Sequence, residues 1–252
     1  MPIVYAHRGG AALRPENTIA AFDHGMACGA DGLEFDVHLS KDGIVVVHHD
    51  DTLERTTNGR GAVADVTAAE LASLDACCNF LDREGRRPYR GLGFGVPTFR
   101  EVLLRYPHAQ LIVELKSPGT RLAQAVVEEV RAAGALDRVA IGSFHKSALN
   151  AVRTHEPAIA TGAAKQETRW ALYRSWVGWP LGSAPYREFQ VPLRSGLTPI
   201  VTKRFVAHAH RAGLAVKVWT VNDEDVMRRV TAWGVDGLIT DRPDLARHVV
   251  GV

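Results

Sequence analysis

Three cysteines in 252 residues, two of them adjacent (Cys28, Cys77, Cys78), are too few and too poorly spaced for a disulfide framework or a thiolate zinc site. An excess of charge of one sign is missing as well. The formal net charge is +2, which excludes the strong electrostatic footprint of a nucleic-acid partner. No stretch reaches the roughly 18 apolar residues of a membrane span, and Met1-Pro2 leads into an apolar run with neither a basic nor an apolar leader. A reducing, cytoplasmic location is the expectation. Also missing is the Gly-x-Gly-x-x-Gly turn of a dinucleotide-binding sheet; His7-Arg8-Gly9-Gly10 occupies its place after the first strand-like run.

What is present is an ordinary globular composition, 46% hydrophobic and 23% charged, able to bury a large core. The organising stretch is Gly32-Leu33-Glu34-Phe35-Asp36-Val37-His38, with a carboxylate at alternate positions. Strand side chains alternate faces, so Glu34 and Asp36 point the same way, about 7 Å apart. Two acids on a buried face are costly unless a cation lies between them.

Around this stretch, apolar strands alternate with helices. Asn17 or Thr18 caps a helix through about Cys28, and Lys41-Asp42-Gly43 turns the chain back into Ile44–Val47 as a hairpin-like extension. Residues 51–96 break the alternation: loops, a short helix capped by Thr67, and a Gly/Arg-rich tail read as an insertion. Strand patterns return at 110–115, 139–142, 158–162, 189–191, 215–219 and 237–240, with helices between them. Residues 167–186 read as irregular, and their aromatic cluster of Trp170, Tyr173, Trp176 and Trp179 is assigned first to the core. About eight strands with helical crossovers predict an α/β chain folded as a (β/α)8 TIM barrel, one domain over residues 1–252. The alternative is an open doubly wound sheet.

Active-site groups of such barrels sit at strand C-terminal ends. His7, Glu34, Asp36, Glu114 and Trp219 all fall there, and Glu114-Leu115-Lys116 repeats the alternating pattern. Three oxygen donors without a thiolate favour Mg²⁺ or Ca²⁺ over zinc as a bound divalent metal. Three carboxylates with such an ion leave one net negative charge; Arg8 and Lys116 turn it to one positive, which a phosphodiester neutralises. His7 and His49 can divide general-acid and general-base work. Trp219 is placed to line the substrate pocket. The opposing reading is structural ion pairing of the acids inside a barrel. His38 and His48 are assigned structural roles, Asn17 a helix cap, and Asp241 before Pro243 a helix start. The remaining histidines, His208 among them, are assigned to the surface.

His7-Arg8-Gly9, Pro15-Glu16-Asn17-Thr18, Glu34-x-Asp36, His49-Asp50 with Leu53-x-Arg55-Thr56-Thr57-Asn58-Gly59-x-Gly61, Glu114-x-Lys116, Trp219-Thr220-Val221-Asn222 and Gly234 through Asp241-x-Pro243 stand in order along nearly the whole chain. Together they resemble the glycerophosphodiester phosphodiesterase family, within the PLC-like phosphodiesterase superfamily. The resemblance implies a TIM barrel with an inserted segment after the second strand. It implies a divalent metal on Glu34, Asp36 and Glu114, acid/base roles for His7 and His49, and substrate contacts from Arg8 and Lys116. The implied reaction is hydrolysis of a glycerophosphodiester, a small molecule, to glycerol 3-phosphate and an alcohol. The resemblance further implies attack of the neighbouring glycerol hydroxyl on phosphorus, giving a cyclic phosphate that water opens. Our preference makes His49 the leaving-group acid; the resemblance leaves that order open. A lysophospholipase D-like activity on acylated substrates, with peripheral lipid contact through the aromatic stretch, is the nearest rival. A catalytically silent phosphodiester- or lipid-binding barrel is the rival of another class.

Overall fold

The computed structural model describes residues 1–251. The chain begins β1 (Ile3–His7), α1 (Ile19–Ala27), β2 (Gly32–Leu39) and β3 (Val45–Val47). A 3₁₀ turn (Val63–Asp65), α2 (Ala68–Ser73), α3 (Phe99–Arg105), β4 (Gln110–Leu115), α4 (Thr120–Ala132), β5 (Val139–Gly142), α5 (Lys146–His155) and β6 (Ala160–Thr161) follow. The last third holds α6 (Lys165–Val177), β7 (Glu188–Pro192), a small hairpin of β8 (Arg194–Ser195) and β9 (Thr198–Pro199), α7 (Lys203–Arg211), β10 (Ala215–Trp219), α8 (Glu224–Ala232), β11 (Gly237–Thr240) and α9 (Pro243–Val250).

Eight of these strands run parallel in the order β6-β5-β4-β2-β1-β11-β10-β7, and a single parallel bridge, Gly162 to Glu188, nearly closes the ring. The predicted barrel is therefore what the chain forms. β3 pairs antiparallel with β2, Val37 opposite Val47, as the hairpin-like reading required. Residues 51–96 leave the barrel after this extension, where the second crossover should begin. They gather Leu53, Val63, Leu71 and Ala76 with Val46 and Val96 into a small cluster of their own. Thr67 caps α2 reciprocally with Glu70.

The side-chain period of two explains which residues face where. On β2, Leu33, Phe35 and Val37 join the core under the helices, while Glu34, Asp36 and His38 point into the barrel. The lower barrel is plugged by Tyr5, Ile112 and Ile239. A Cβ on Gly32 would meet the Gln110 carbonyl at 2.2 Å and the Tyr5 ring at 2.9 Å, so only glycine admits that ring. Beside the plug, Lys217 Nζ meets Glu188 at 2.7 Å and lies 4.9 Å from the Tyr5 ring centroid.

Two expectations are corrected here. Residues 167–186 are not irregular: most of them form α6. Their pattern hid the helix because apolar residues occupy both of its faces. Ala171 and Leu172 are buried, while Trp170, Tyr173, Trp176 and Val177 are exposed, so no 3.6-residue stripe emerges. The aromatic cluster is accordingly not core. His208 is also not a surface residue; it is buried on α7 with Arg211 donating to its Nδ1 at 3.0 Å.

Candidate active site

The site is assembled by register. His7 at the end of β1 lies beside Glu34, and Asp36 lies beside Glu114 across the β2–β4 ladder. The inward positions of three adjacent strands thus converge, and one carboxylate oxygen from each of Glu34, Asp36 and Glu114 falls within 4.8 Å of the others. Lys116 Nζ stands 3.3 Å from both Asp36 and Glu114. Arg8 places Nε 3.3 Å from Asp36 and donates from Nη1 to Glu16 at 2.9 Å.

Arg8 adopts the left-handed conformation, φ 49°, which costs an L-residue about 1 kcal/mol. Its N–H donates to the Glu34 carbonyl at 2.7 Å, and its guanidinium is held from two sides, so the turn is over-determined. Gly9 follows at φ +84°; a Cβ there would lie 2.7 Å from Ala21, which lets α1 close onto the loop.

Burial pushes the Glu34 carboxyl well above the ordinary carboxylate range; His7 opposes this, and the Asp36 and Glu114 charges reinforce it. Burial raises Glu114 too, against the pull of Lys116. Lys116 itself is held above its usual value: burial works against its charge, but Asp36 and Glu114 outweigh it. Crowded, buried, hard oxygen donors without sulfur fit a divalent cation, whose charge would relieve this repulsion. Asn17 adds a second sign. Its Nδ2 donates to Asp36 at 3.0 Å, and its buried Oδ1 has no hydrogen-bond partner among the described residues.

The two histidines are each backed by a carboxylate. His7 Nδ1 lies 2.6 Å from Asp241 Oδ1, and its Nε2 lies 3.7 Å from Glu34. Burial opposes charge on His7, yet Glu34 and Asp241 together hold its pKa above the ordinary value. His49 Nδ1 lies 2.5 Å from Asp50 Oδ1, leaving Nε2 for the cavity. Arg55, from the inserted segment, bridges Asp50 and Glu16, at 2.7 Å from Glu16. An unbroken run of hydrogen bonds and ion pairs through Asp50, Arg55 and Glu16 therefore links His49 to Arg8. His38 and His48 are buried and bonded to the carbonyls of His49 and Thr52, apart from this cluster.

Sequence reasoning misplaced two of these residues. Asn17 is not the cap of α1; Thr18 is, accepting from the Ala21 N–H. Asn17 instead takes φ 57°, which asparagine tolerates, and turns its amide onto Asp36. Asp241 does not start α9, whose cap position is Arg242 without a side-chain bond. It directly follows the last residue of β11, the neighbour of β1, and the strand-end rule that selected His7 selects it equally. Asn222 donates to its other oxygen at 2.7 Å.

The charged cluster opens into a cavity of about 550 Å³. His7, Arg8, Glu34, His49, Glu114 and Lys116 form its charged wall. Opposite stand Leu172, Tyr173 and Trp176 of α6, with Phe144 and Trp219 in edge-to-face contact at 6.0 Å. Trp219 thus lines the pocket, where its strand-end position put it.

A nearly closed barrel with its polar cluster at the strand C-termini is an enzyme scaffold. The model of the glycerophosphoryl diester phosphodiesterase family matches residues 7–245. A glycerophosphodiester phosphodiesterase of Caldanaerobacter subterraneus subsp. tengcongensis is 34% identical over 98% of this chain and 97% of its own length. The fold matches the glycerophosphoryl diester phosphodiesterase domain of a Mycobacterium tuberculosis protein with a TM-score of 0.88, at 23% identity over 99% of each chain. A phosphodiesterase of Oleispira antarctica, solved with the product sn-glycerol-3-phosphate, superposes with a TM-score of 0.77 at 26% identity, covering 99% of this chain and 97% of that one. The chain belongs to the glycerophosphoryl diester phosphodiesterase family and is an enzyme of that family.

Proposed function

We propose that this enzyme hydrolyses water-soluble glycerophosphodiesters in the cytoplasm to glycerol 3-phosphate and an alcohol, using a divalent cation held by Glu34, Asp36 and Glu114. The observation that carries this reading is the convergence of those three carboxylates, within 4.8 Å of one another, between His7 and His49. A divalent cation held by Glu34, Asp36 and Glu114 would supply positive charge to the phosphate oxygens. Arg8 and Lys116 flank the same place and orient the phosphodiester through its anionic oxygens. Glycerol 3-phosphate in the Oleispira antarctica relative supports a glycerophosphate subsite in the corresponding cavity.

Proton traffic is divided between the histidines. His7, kept basic by Glu34 and Asp241, accepts the proton of the attacking glycerol hydroxyl. His49, fixed through Nδ1 by Asp50, delivers a proton from Nε2 to the leaving alcohol. The resulting cyclic phosphate is opened by water with the two roles exchanged. The fixed carboxylate partners set which ring nitrogen faces the substrate.

The test is release of glycerol 3-phosphate from glycerophosphocholine and glycerophosphoethanolamine by chelator-stripped protein. Release restored by Mg²⁺ or Ca²⁺ in the native chain and absent in Glu34→Ala is the expected result. Cation-independent release would refute the metal reading. Acylated lysophospholipids are a second reading, favoured by the apolar wall of Leu172, Tyr173 and Trp176; the same assay with both substrate types ranks the two.

A further inference from the structure

The apolar wall does not stop at the cavity. α6 lies along the rim with Lys165, Thr168, Arg169, Leu172, Tyr173 and Trp176 facing the opening. Its aromatic side chains form a ladder, Trp170 to Tyr173 at 6.2 Å and Tyr173 to Trp176 at 5.4 Å between ring centroids. Trp170 is 67% exposed, Val177 71% and Trp179 70%. The β8–β9 hairpin, which follows β7 directly, lines the same cavity with Ser195 and Thr198 and holds Leu197 at its tip, 92% exposed. Large apolar side chains concentrated on one rim mark a contact surface.

Charge identifies what the rim contacts. Residues 165–204 carry seven Lys and Arg against two Asp and Glu, while the rest of the chain carries 23 against 26. Both acids of the segment are occupied, Glu167 by Arg153 and Glu188 by Lys217. Lys165, Arg169, Arg174, Arg194, Lys203 and Arg204 are exposed around the aromatic side chains, and Arg204 donates to the Trp176 carbonyl at 2.6 Å, joining α7 to the rim. Tryptophan and tyrosine at the depth of lipid headgroups, ringed by cations, is the chemistry of an anionic bilayer surface. A second copy of the chain fits less well. A two-fold contact sets a patch against itself, and this patch would oppose its own cations.

We propose that α6 and the β8–β9 hairpin dock this enzyme on anionic phospholipid bilayers. Trp170, Trp179 and Leu197 enter the interface, the basic side chains meet lipid phosphates, and the cavity mouth faces the membrane. Docking brings the catalytic cavity to the place where diesters split from lipids are released, and it does not require that acylated lipid enter the cavity.

The experiment is vesicle flotation at near-physiological salt, with phosphatidylglycerol/phosphatidylcholine vesicles compared with phosphatidylcholine alone. The native chain is expected to float with the anionic vesicles and to remain behind with the neutral ones. The triple variant Trp170→Ala/Trp179→Ala/Leu197→Ser and the charge variant Arg194→Glu/Lys203→Glu should each lose about tenfold or more in binding. These residues lie outside the cavity lining, and a carboxylate at residue 203 is favourable in the first turn of α7, so the unfolding midpoint should hold within a few degrees. That fold control is independent of turnover, so failure of the catalytic reading leaves this test intact. Absence of native binding, equal binding to neutral vesicles, or undiminished binding by both variants overturns the proposal. Loss of a native dimer in sedimentation by the same variants, without vesicle binding, would assign the face to a second copy and overturn it too.

Discussion

The two walls of the cavity are built by different rules. The wall of β1, β2 and β4 is charged, rigid and cross-linked: each carboxylate has a cationic partner, and each histidine has a carboxylate behind it. The wall of α6 and the β8–β9 hairpin is aromatic, exposed and held to the barrel by few polar contacts. A site placed on strands inherits their fixed register, so it can hold proton donors and a cation to within fractions of an ångström. A wall placed on a helix and hairpin between strands can change its side chains without disturbing that register. A charged wall and an apolar wall thus face one opening.

The sharpest way to break this division is to remove a proton carrier. His7→Asn and His49→Asn should each lower kcat by about 10²–10⁴-fold while the unfolding midpoint changes little; steady-state kinetics with calorimetry checks both. An intact rate in either variant would remove that histidine from the chemistry. Asp241→Asn should cost less, about 10–100-fold in kcat with a smaller change in KM, because it disturbs the placement of His7 and leaves the phosphate contacts untouched. A pure KM effect would instead make Asp241 a substrate contact.

The charged wall should also be visible in stability. Burial works against the charge of Glu16, but Arg55 and Arg8 outweigh it and bring its pKa from 4.5 down to about 2. A depressed acid contributes stability that is fully present above the unfolded value and fades as pH falls through the folded one. Glu16→Gln should therefore cost about 2 kcal/mol at pH 7, with the difference from the native chain shrinking between pH 4.5 and pH 2. Urea titrations across that range measure it. The smallest effect belongs to the other wall. Tyr173→Ala should change kcat for glycerophosphoethanolamine by less than about threefold, and any loss should fall on KM for substrates with larger apolar groups. An equal loss on small and large substrates would contradict the separation of the two walls.

The same contrast explains what could be read without coordinates. Glu34-x-Asp36 and Glu114-x-Lys116 carry the strand period within a few residues, so their shared face and their convergence were legible. The barrel followed from counting strands and crossovers. Asp241 was not recognised because its neighbour His7 lies 234 residues away in sequence and adjacent only through the β1–β11 pairing that closes the chain on itself. Asn17 was hidden by Thr18, since a residue beside a good cap reads as a cap until its backbone turn is known. α6 escaped because a helix with one face toward a core and another toward a rim has no single apolar stripe. Arg55 stood in a recognisable motif, but its reach to both Asp50 and Glu16 depends on the path of the inserted segment.

The account rests on one divalent cation at the junction of β2 and β4. Titration with Mn²⁺, followed by the loss of the free-ion electron paramagnetic resonance signal, tests this directly without reference to turnover. One saturable ion per native chain, lost in Asp36→Asn and in Glu114→Gln folded to the same midpoint, is the predicted result. Saturable binding that survives both substitutions, or none in the native chain with and without glycerol 3-phosphate, would contradict it.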